Sequence, residues 1–273
     1  MSRMQNILDK AERDGAVLRL RPLPDQDPIE AGVAVVDAPV STVNVKTTIT
    51  SQPAVQPVRA VTPKRIDRAL VAAHSPDAAA ARQYRSLCSR IVHADQGTPV
   101  KVIMITSPGN GEGKSVTAAN LALTMAREYQ RPTCLVDVNF RAPKLEEMFG
   151  IEGKGLGLVD VLTGRATLDQ ALTYVEPAGI SLLTAGRGSE HPAELLSSPM
   201  MRRTLDSLRA QFDRIIVDTP AALPMVDLGM LEPLADRIVL VVRSGVTPKA
   251  AIQDVLSTID SSRLLGVVLN EAV

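Results

Sequence analysis

From about Ile66 onward, short wholly apolar runs alternate with stretches of helical period. Val100–Thr106, Thr133–Asp137, Ile180–Leu183, Arg214–Asp218, Arg237–Val242 and Leu264–Leu269 show little polar alternation, as expected of strands buried on both faces. Between them, Ala78–His93, the stretch after Lys114, Met200–Ala210 and Pro248–Ile259 repeat apolar residues at helical spacing. Strands separated by helices predict an α/β domain over 66–273, a mostly parallel sheet with helices on both faces.

The first 65 residues read differently. Met4, Ile7, Leu8 and Ala11 fall on one face of an expected amphipathic helix over 1–15, with Gly15 suited to its end. A helix this short is marginal alone, so its apolar stripe is expected either to dock on a partner or to pack on the main domain. Residues 16–65, rich in Pro, Val and Thr, lack durable periodicity and read as a linker with a disordered tendency.

Composition narrows the class. Thirty basic and thirty acidic residues cancel, which argues against a nucleic-acid-coating surface. Apolar residues make up 45% of the chain, yet no run approaches the roughly 18 residues needed to span a bilayer. The N-terminus carries no apolar signal core. Cys88 and Cys134 lie far apart in sequence, and a reduced, cytoplasmic protein is the expectation.

The chemistry concentrates at strand ends. SPGNGEGKS, residues 107–115, sits between a strand and a helix. Gly109, Asn110, Gly111, Glu112, Gly113, Lys114, Ser115 and Val116 form the candidate phosphate cradle. Its glycines let backbone N–H groups point inward, and the helix N-terminus adds positive charge. Lys114 suits the outer phosphates and the Ser115 hydroxyl suits Mg²⁺, although Pro108 stands where the general phosphate-loop pattern has its first glycine. Asp137 and Asp218 each end an apolar strand, with Arg141 just beyond the first. Such carboxylates beside a phosphate loop suit Mg²⁺ and an attacking oxygen. Asp218 is the better metal candidate, and Asp137 a candidate proton acceptor that also stands near the metal. His74, His93 and His191 lack metal-like spacing.

Residues 66–270 resemble the bacterial tyrosine kinase family, the ATPase-kinases of capsule and exopolysaccharide export. The matching stretches are TSPGNGEGKSVTAANLA (Walker A), LVDVNFRAP (Walker A′) and DRIIVDTPAALPMVD (Walker B), with HPAELLSSPMMRRTLDSLRAQFD and LLGVVLN. The resemblance implies a MinD/ParA-like P-loop fold, ATP with Mg²⁺, and tyrosine as acceptor on the kinase itself and on other proteins. It implies catalytic roles for Lys114, Asp137, Asp218 and Arg141. Its implied partner is a separate membrane copolymerase of the chain-length-determinant type. That partner would recruit a cytoplasmic chain to the inner membrane, with the 1–15 helix as a candidate contact.

Three departures accompany the resemblance. The family's D-x-D reads Asp137-Val138-Asn139 here, which keeps shape and loses charge. The usual C-terminal tyrosine cluster is missing from the sequence, whose tyrosines are Tyr84, Tyr129 and Tyr174. The ring-contact pattern E-x-x-R-x-x-R reads RQYRSLC, with Arg82 and Cys88 at the outer positions and Arg85 kept. An oligomer is therefore open, with the ring motif degraded. An ATPase switch without kinase activity is the alternative. A MinD/ParA-type positioning ATPase is a further one, against which stand Pro108 and the HPAELLSSP and GVVLN phrases.

Overall fold

The computed structural model describes residues 17–20, 59–94, 99–151, 155–189, 191–223 and 226–270. The expected helix over 1–15 lies outside them. Nine strands among the described residues form one sheet. In chain order they are β1 (Val17–Leu20), β2 (Arg59–Val61), β3 (Val102–Thr106), β4 (Thr133–Asp137), β5 (Thr173–Val175), β6 (Ile180–Leu183), β7 (Arg214–Asp218), β8 (Arg237–Arg243) and β9 (Leu264–Asn270). Their spatial order is β1-β9-β8-β3-β7-β4-β6-β5-β2. Every neighbouring pair is parallel except β5 and β6, joined by a turn in which Gly179 takes φ +70°.

The central strands β3, β4 and β7 are buried at every position, which is why their sequences do not alternate. Their side chains nevertheless alternate between two cores. Ile103, Ile105, Leu135 and Ile216 pack with Leu87 and Ile91 of α2 (Ala79–His93) and Leu121 of α3 (Lys114–Glu128). Val102, Met104, Val136 and Val217 face the other way, toward Met201, Leu205 and Leu208 of α8 (Pro199–Gln211) and Ile252 and Val255 of α10 (Lys249–Thr258). Each such fully buried aliphatic side chain contributes roughly 1.5–3 kcal/mol. Between α3 and α8 in the chain lie α4 (Leu145–Met148), α5 (Leu158–Leu162), α6 (Leu168–Ala171) and α7 (Pro192–Leu196). Short α1 (Val71–His74) precedes α2, and α9 (Val226–Leu231) follows β7.

The linker expectation needs correcting at both ends. Residues 17–20 add to β9 in parallel register, and residues 59–61 pair with β5, so the two ends of the 16–65 stretch occupy opposite edges of the sheet. Prolines near both segments masked them, and an edge strand tolerates such neighbours because one side of its backbone is free. The degraded ring pattern also acquires a structural account. Cys88 is fully buried against α3, while Arg85 pairs with Glu128 at 3.1 Å and Arg82 donates to the Asp77 carbonyl.

Candidate active site

Parallel strands bring their carboxyl ends to one edge, and register does the rest. Asp218 lies opposite Ile105 on one side and opposite Asp137 on the other. The loop leaving β3 therefore rises beside two neighbouring strands that both end in aspartate. That loop, 107–113, turns through Gly111 and Gly113 at φ +76° and +92° before α3 begins at Lys114. The Ser107 hydroxyl donates to the Gly109 carbonyl at 2.6 Å, and Ala222 N–H donates to the Ser107 carbonyl at 2.7 Å. Leu223 N–H donates to the Pro108 carbonyl at 3.2 Å. The segment after β7 thus docks onto the loop's own backbone.

A cavity of about 720 Å³ opens over this edge. Asn110, Gly111, Gly113, Lys114, Ser115 and Val116 line one side, with Asn139, Arg141, Pro220 and Asp227 among the residues opposite. Most of the expected cradle is therefore assembled around one space. Gly109 and Glu112 are not on its wall, and the Glu112 side chain is turned into the protein at 5% exposure.

Asp137 and Asp218 are both fully buried, and their surroundings differ. Asp137 Oδ1 accepts from Asn139 N–H at 3.0 Å, and Oδ2 accepts from Lys144 and Leu145 N–H at 3.2 and 3.3 Å. Its carboxylate organises the chain between β4 and α4. Burial pushes its pKa up, and these three N–H groups with Lys114 pull it partly back. Neither oxygen of Asp218 has a hydrogen-bond partner. Burial, then the Asp137 charge, drives its pKa up further; the Ser115 hydroxyl and Lys114 act against this, but Ser115 does not reach full bonding geometry. A buried carboxylate without donors is costly unless something cationic approaches it.

Asn139, at 6% exposure, donates its Nδ2–H to the Ala142 carbonyl at 3.0 Å. Arg141 ion-pairs with buried Asp227 in the cavity lining, and the other Asp227 oxygen, Oδ1, has no partner. Asp227 and Asn270 were not singled out from the sequence. Asn270 ends an apolar run as Asp137 and Asp218 do, so the strand-end rule would have found it. Asp227 follows no such rule, since its place depends on how the segment after β7 folds back.

Such a loop between a buried strand and a helix, with carboxylates closing the adjoining strands, defines a P-loop NTPase. Residues 99–270 match the ParA family, described as NUBPL iron-transfer P-loop NTPases. Within that class, the chain belongs to the bacterial tyrosine-protein kinases. It is 36% identical over 209 residues to the tyrosine-protein kinase YwqD of Bacillus subtilis, covering 76% of this chain and 87% of that one. It is 34% identical over 215 residues to the succinoglycan biosynthesis transport protein ExoP of Rhizobium meliloti, but spans only 27% of ExoP. Among solved structures, the VpsO kinase domain superimposes with a TM-score of 0.66 at 32% identity, covering 76% of this chain and 97% of that domain. Among the described residues, no helix is long and apolar enough to cross a membrane.

Proposed function

We propose that this chain is a Mg-ATP-dependent protein-tyrosine kinase of exopolysaccharide or capsule production, working with a separate membrane copolymerase that holds it at the inner membrane. The observation that carries the reading is the in-register pairing of Asp137 with Asp218 beside the phosphate loop. The polysaccharide role leans on the kinship with ExoP, named for succinoglycan biosynthesis.

When bound, Mg-ATP supplies the transferable phosphoryl group and a cation to neutralise its charge. The residues fit such a group. Asp218 presents two buried oxygens without donors. Among the described residues, no cluster of three or more His, Cys, Asp or Glu side chains could hold a metal by itself. Mg²⁺ takes many of its ligands from phosphate and water, so Ser115 and a carboxylate suffice on the protein side.

In this reading the N–H groups of 110–116 cradle the phosphates, Gly109 N–H being committed to Glu112; Lys114 neutralises the outer ones and the Ser115 hydroxyl faces the cation. Asp218 acts on the cation through Ser115 or water, consistent with its burial beneath the cavity. Asp137 orients the loop that carries Arg141 and holds the proton leaving an acceptor hydroxyl. Arg141, at the mouth, meets the incoming acceptor or the transferring group. Tyr84 is only 3% exposed, on the buried face of α2, which directs acceptor chemistry to Tyr129, Tyr174 or a tyrosine of another protein.

One observation favours a second reading, an ATPase switch that phosphorylates nothing. Asn139 brings no charge to the β4 end, and its amide is committed to Ala142. Purified protein with γ-labelled ATP and Mg²⁺, with and without the copolymerase's cytoplasmic segment, separates the two. Label on tyrosine that is lost in Lys114→Met supports the kinase. Free phosphate without labelled protein supports the switch, and turnover unchanged in Lys114→Met refutes the phosphate site altogether.

A further inference from the structure

The phosphate loop is held from outside as well as by its own turns. Glu112 is the junction. Its Oε2 accepts from Gly109 N–H at 3.1 Å, and its Oε1 accepts from the Thr247 hydroxyl at 2.6 Å. The same Thr247 oxygen accepts from Arg243 N–H at 2.9 Å, which fixes the turn after β8. The Glu112 carbonyl accepts from Asn270 Nδ2–H at 3.0 Å, and the Asn270 carbonyl accepts from Ser244 N–H at 2.8 Å. Loop, β8 turn and β9 end therefore form one closed network. It is tightly fitted, since a Cβ on Gly113 would come within 2.1 Å of Asn270 Nδ2.

Asn270 is also where the sheet meets one of its two short edge strands. Residues 17–20 add to the outer side of β9, with Leu20 opposite Asn270. A four-residue edge strand is held by few backbone bonds and opens more readily than the strands inside. When it is absent, β9 becomes the edge, and its end loses the neighbour that restrains it.

We propose that Thr247 and Asn270 are positioning residues that hold the phosphate loop in its nucleotide-binding shape, and that pairing of residues 17–20 with β9 steadies Asn270 and so tightens nucleotide binding. This rests on the nucleotide-binding reading above. The link is a population effect. If the loop is competent only part of the time, apparent affinity falls by the competent fraction. Each contact that removes the other shapes raises affinity without touching the nucleotide. Residues 17–20 thereby gain control over the phosphate loop through β9.

The test uses the full chain, a fluorescent ADP analogue with Mg²⁺, and hydrogen exchange across 264–270. Thr247→Val and Asn270→Ala should each weaken binding about 3- to 10-fold, the equivalent of one net hydrogen bond. Thr247→Ser keeps the hydroxyl and should bind like the parent. The double variant Leu18→Pro/Arg19→Pro, which cannot supply the edge-strand donors, should lose protection across β9 and weaken binding in the same direction. Its control, Leu18→Ala/Arg19→Ala, should do neither. Parental affinity in both Thr247→Val and Asn270→Ala overturns the positioning roles. Parental affinity in the proline variant despite lost β9 protection overturns the coupling, and unchanged β9 protection there overturns the docking. A parent chain that binds no nucleotide would instead refute the nucleotide reading on which all of this depends.

Discussion

Replacing Asp218 with Asn should stabilise the nucleotide-free protein while weakening its hold on Mg-nucleotide. Asp218 is fully buried, neither oxygen has a donor, and Asp137 stands opposite it on the next strand. An unpaired buried carboxylate costs several kcal/mol when ionised, whereas a neutral buried amide without partners costs about 1–3 kcal/mol. The difference favours Asp218→Asn by roughly 1–3 kcal/mol where the parent carboxyl is charged. At about 2–4 °C per kcal/mol for a chain of this size, the melting temperature should rise by roughly 2–12 °C.

The pH dependence fixes the sign. The folded pKa of Asp218 is raised above its unfolded value. The penalty is therefore absent below the ordinary carboxylate range, grows as pH rises toward the folded pKa, and is constant above it. Melts of parent and variant without nucleotide should differ more near about pH 8 than near about pH 5. Repeating them with Mg-ADP should reverse the order, since ligand linkage then favours the parent. An Asp218→Asn protein that melts at or below the parent near pH 8 without nucleotide would refute the claim that this carboxylate is held at a cost.

Asn139→Asp should lower stability by about 1–3 kcal/mol in urea unfolding without metal, because a carboxylate cannot donate to the Ala142 carbonyl and adds an acid beside Asp137. Arg141→Ala should cost about 1–2 kcal/mol, discounted because the Arg141 side chain is 56% exposed while its partner Asp227 is buried. A double-mutant cycle with Asp227→Asn should return a coupling of about 1 kcal/mol, and zero coupling would mean the pair is incidental. Phosphopeptide mapping after incubation with Mg-ATP should find no phosphate on Tyr84, whose hydroxyl is buried and held strongly in its protonated form.

What could be read in advance follows from what each element depends on. The central strands and main helices lie within a residue or two of their expected bounds, since a strand buried on both faces must be apolar throughout. The same rule exposes the site, because a polar residue ending such a strand stands at the edge where a parallel sheet binds ligands. Asp137 and Asp218 are found that way. Strands β1, β2 and β5 are short edge or near-edge pieces whose pairing is set by partners distant in the chain, which local periodicity cannot report. The Arg141–Asp227 and Glu112–Thr247 contacts join residues 86 and 135 positions apart, and no spacing in the sequence encodes them.

Asn139 shows where a charge count misleads. Read as a sequence, it is a family aspartate that lost its charge. In the fold, its amide makes a bond that an aspartate could not, closing the turn that carries Arg141 to Asp227. Asp137 fixes the same turn from beneath through three backbone N–H groups. The negative charge left at the strand ends is then divided by environment, with Asp137 held by three backbone donors and Asp218 left without any. An aspartate at position 139 would place a third acid in that buried group, already strained by mutual repulsion. In the proposed kinase reading, the asparagine gives up a charge near the cation and gains a hydrogen bond that preorganises the turn carrying Arg141.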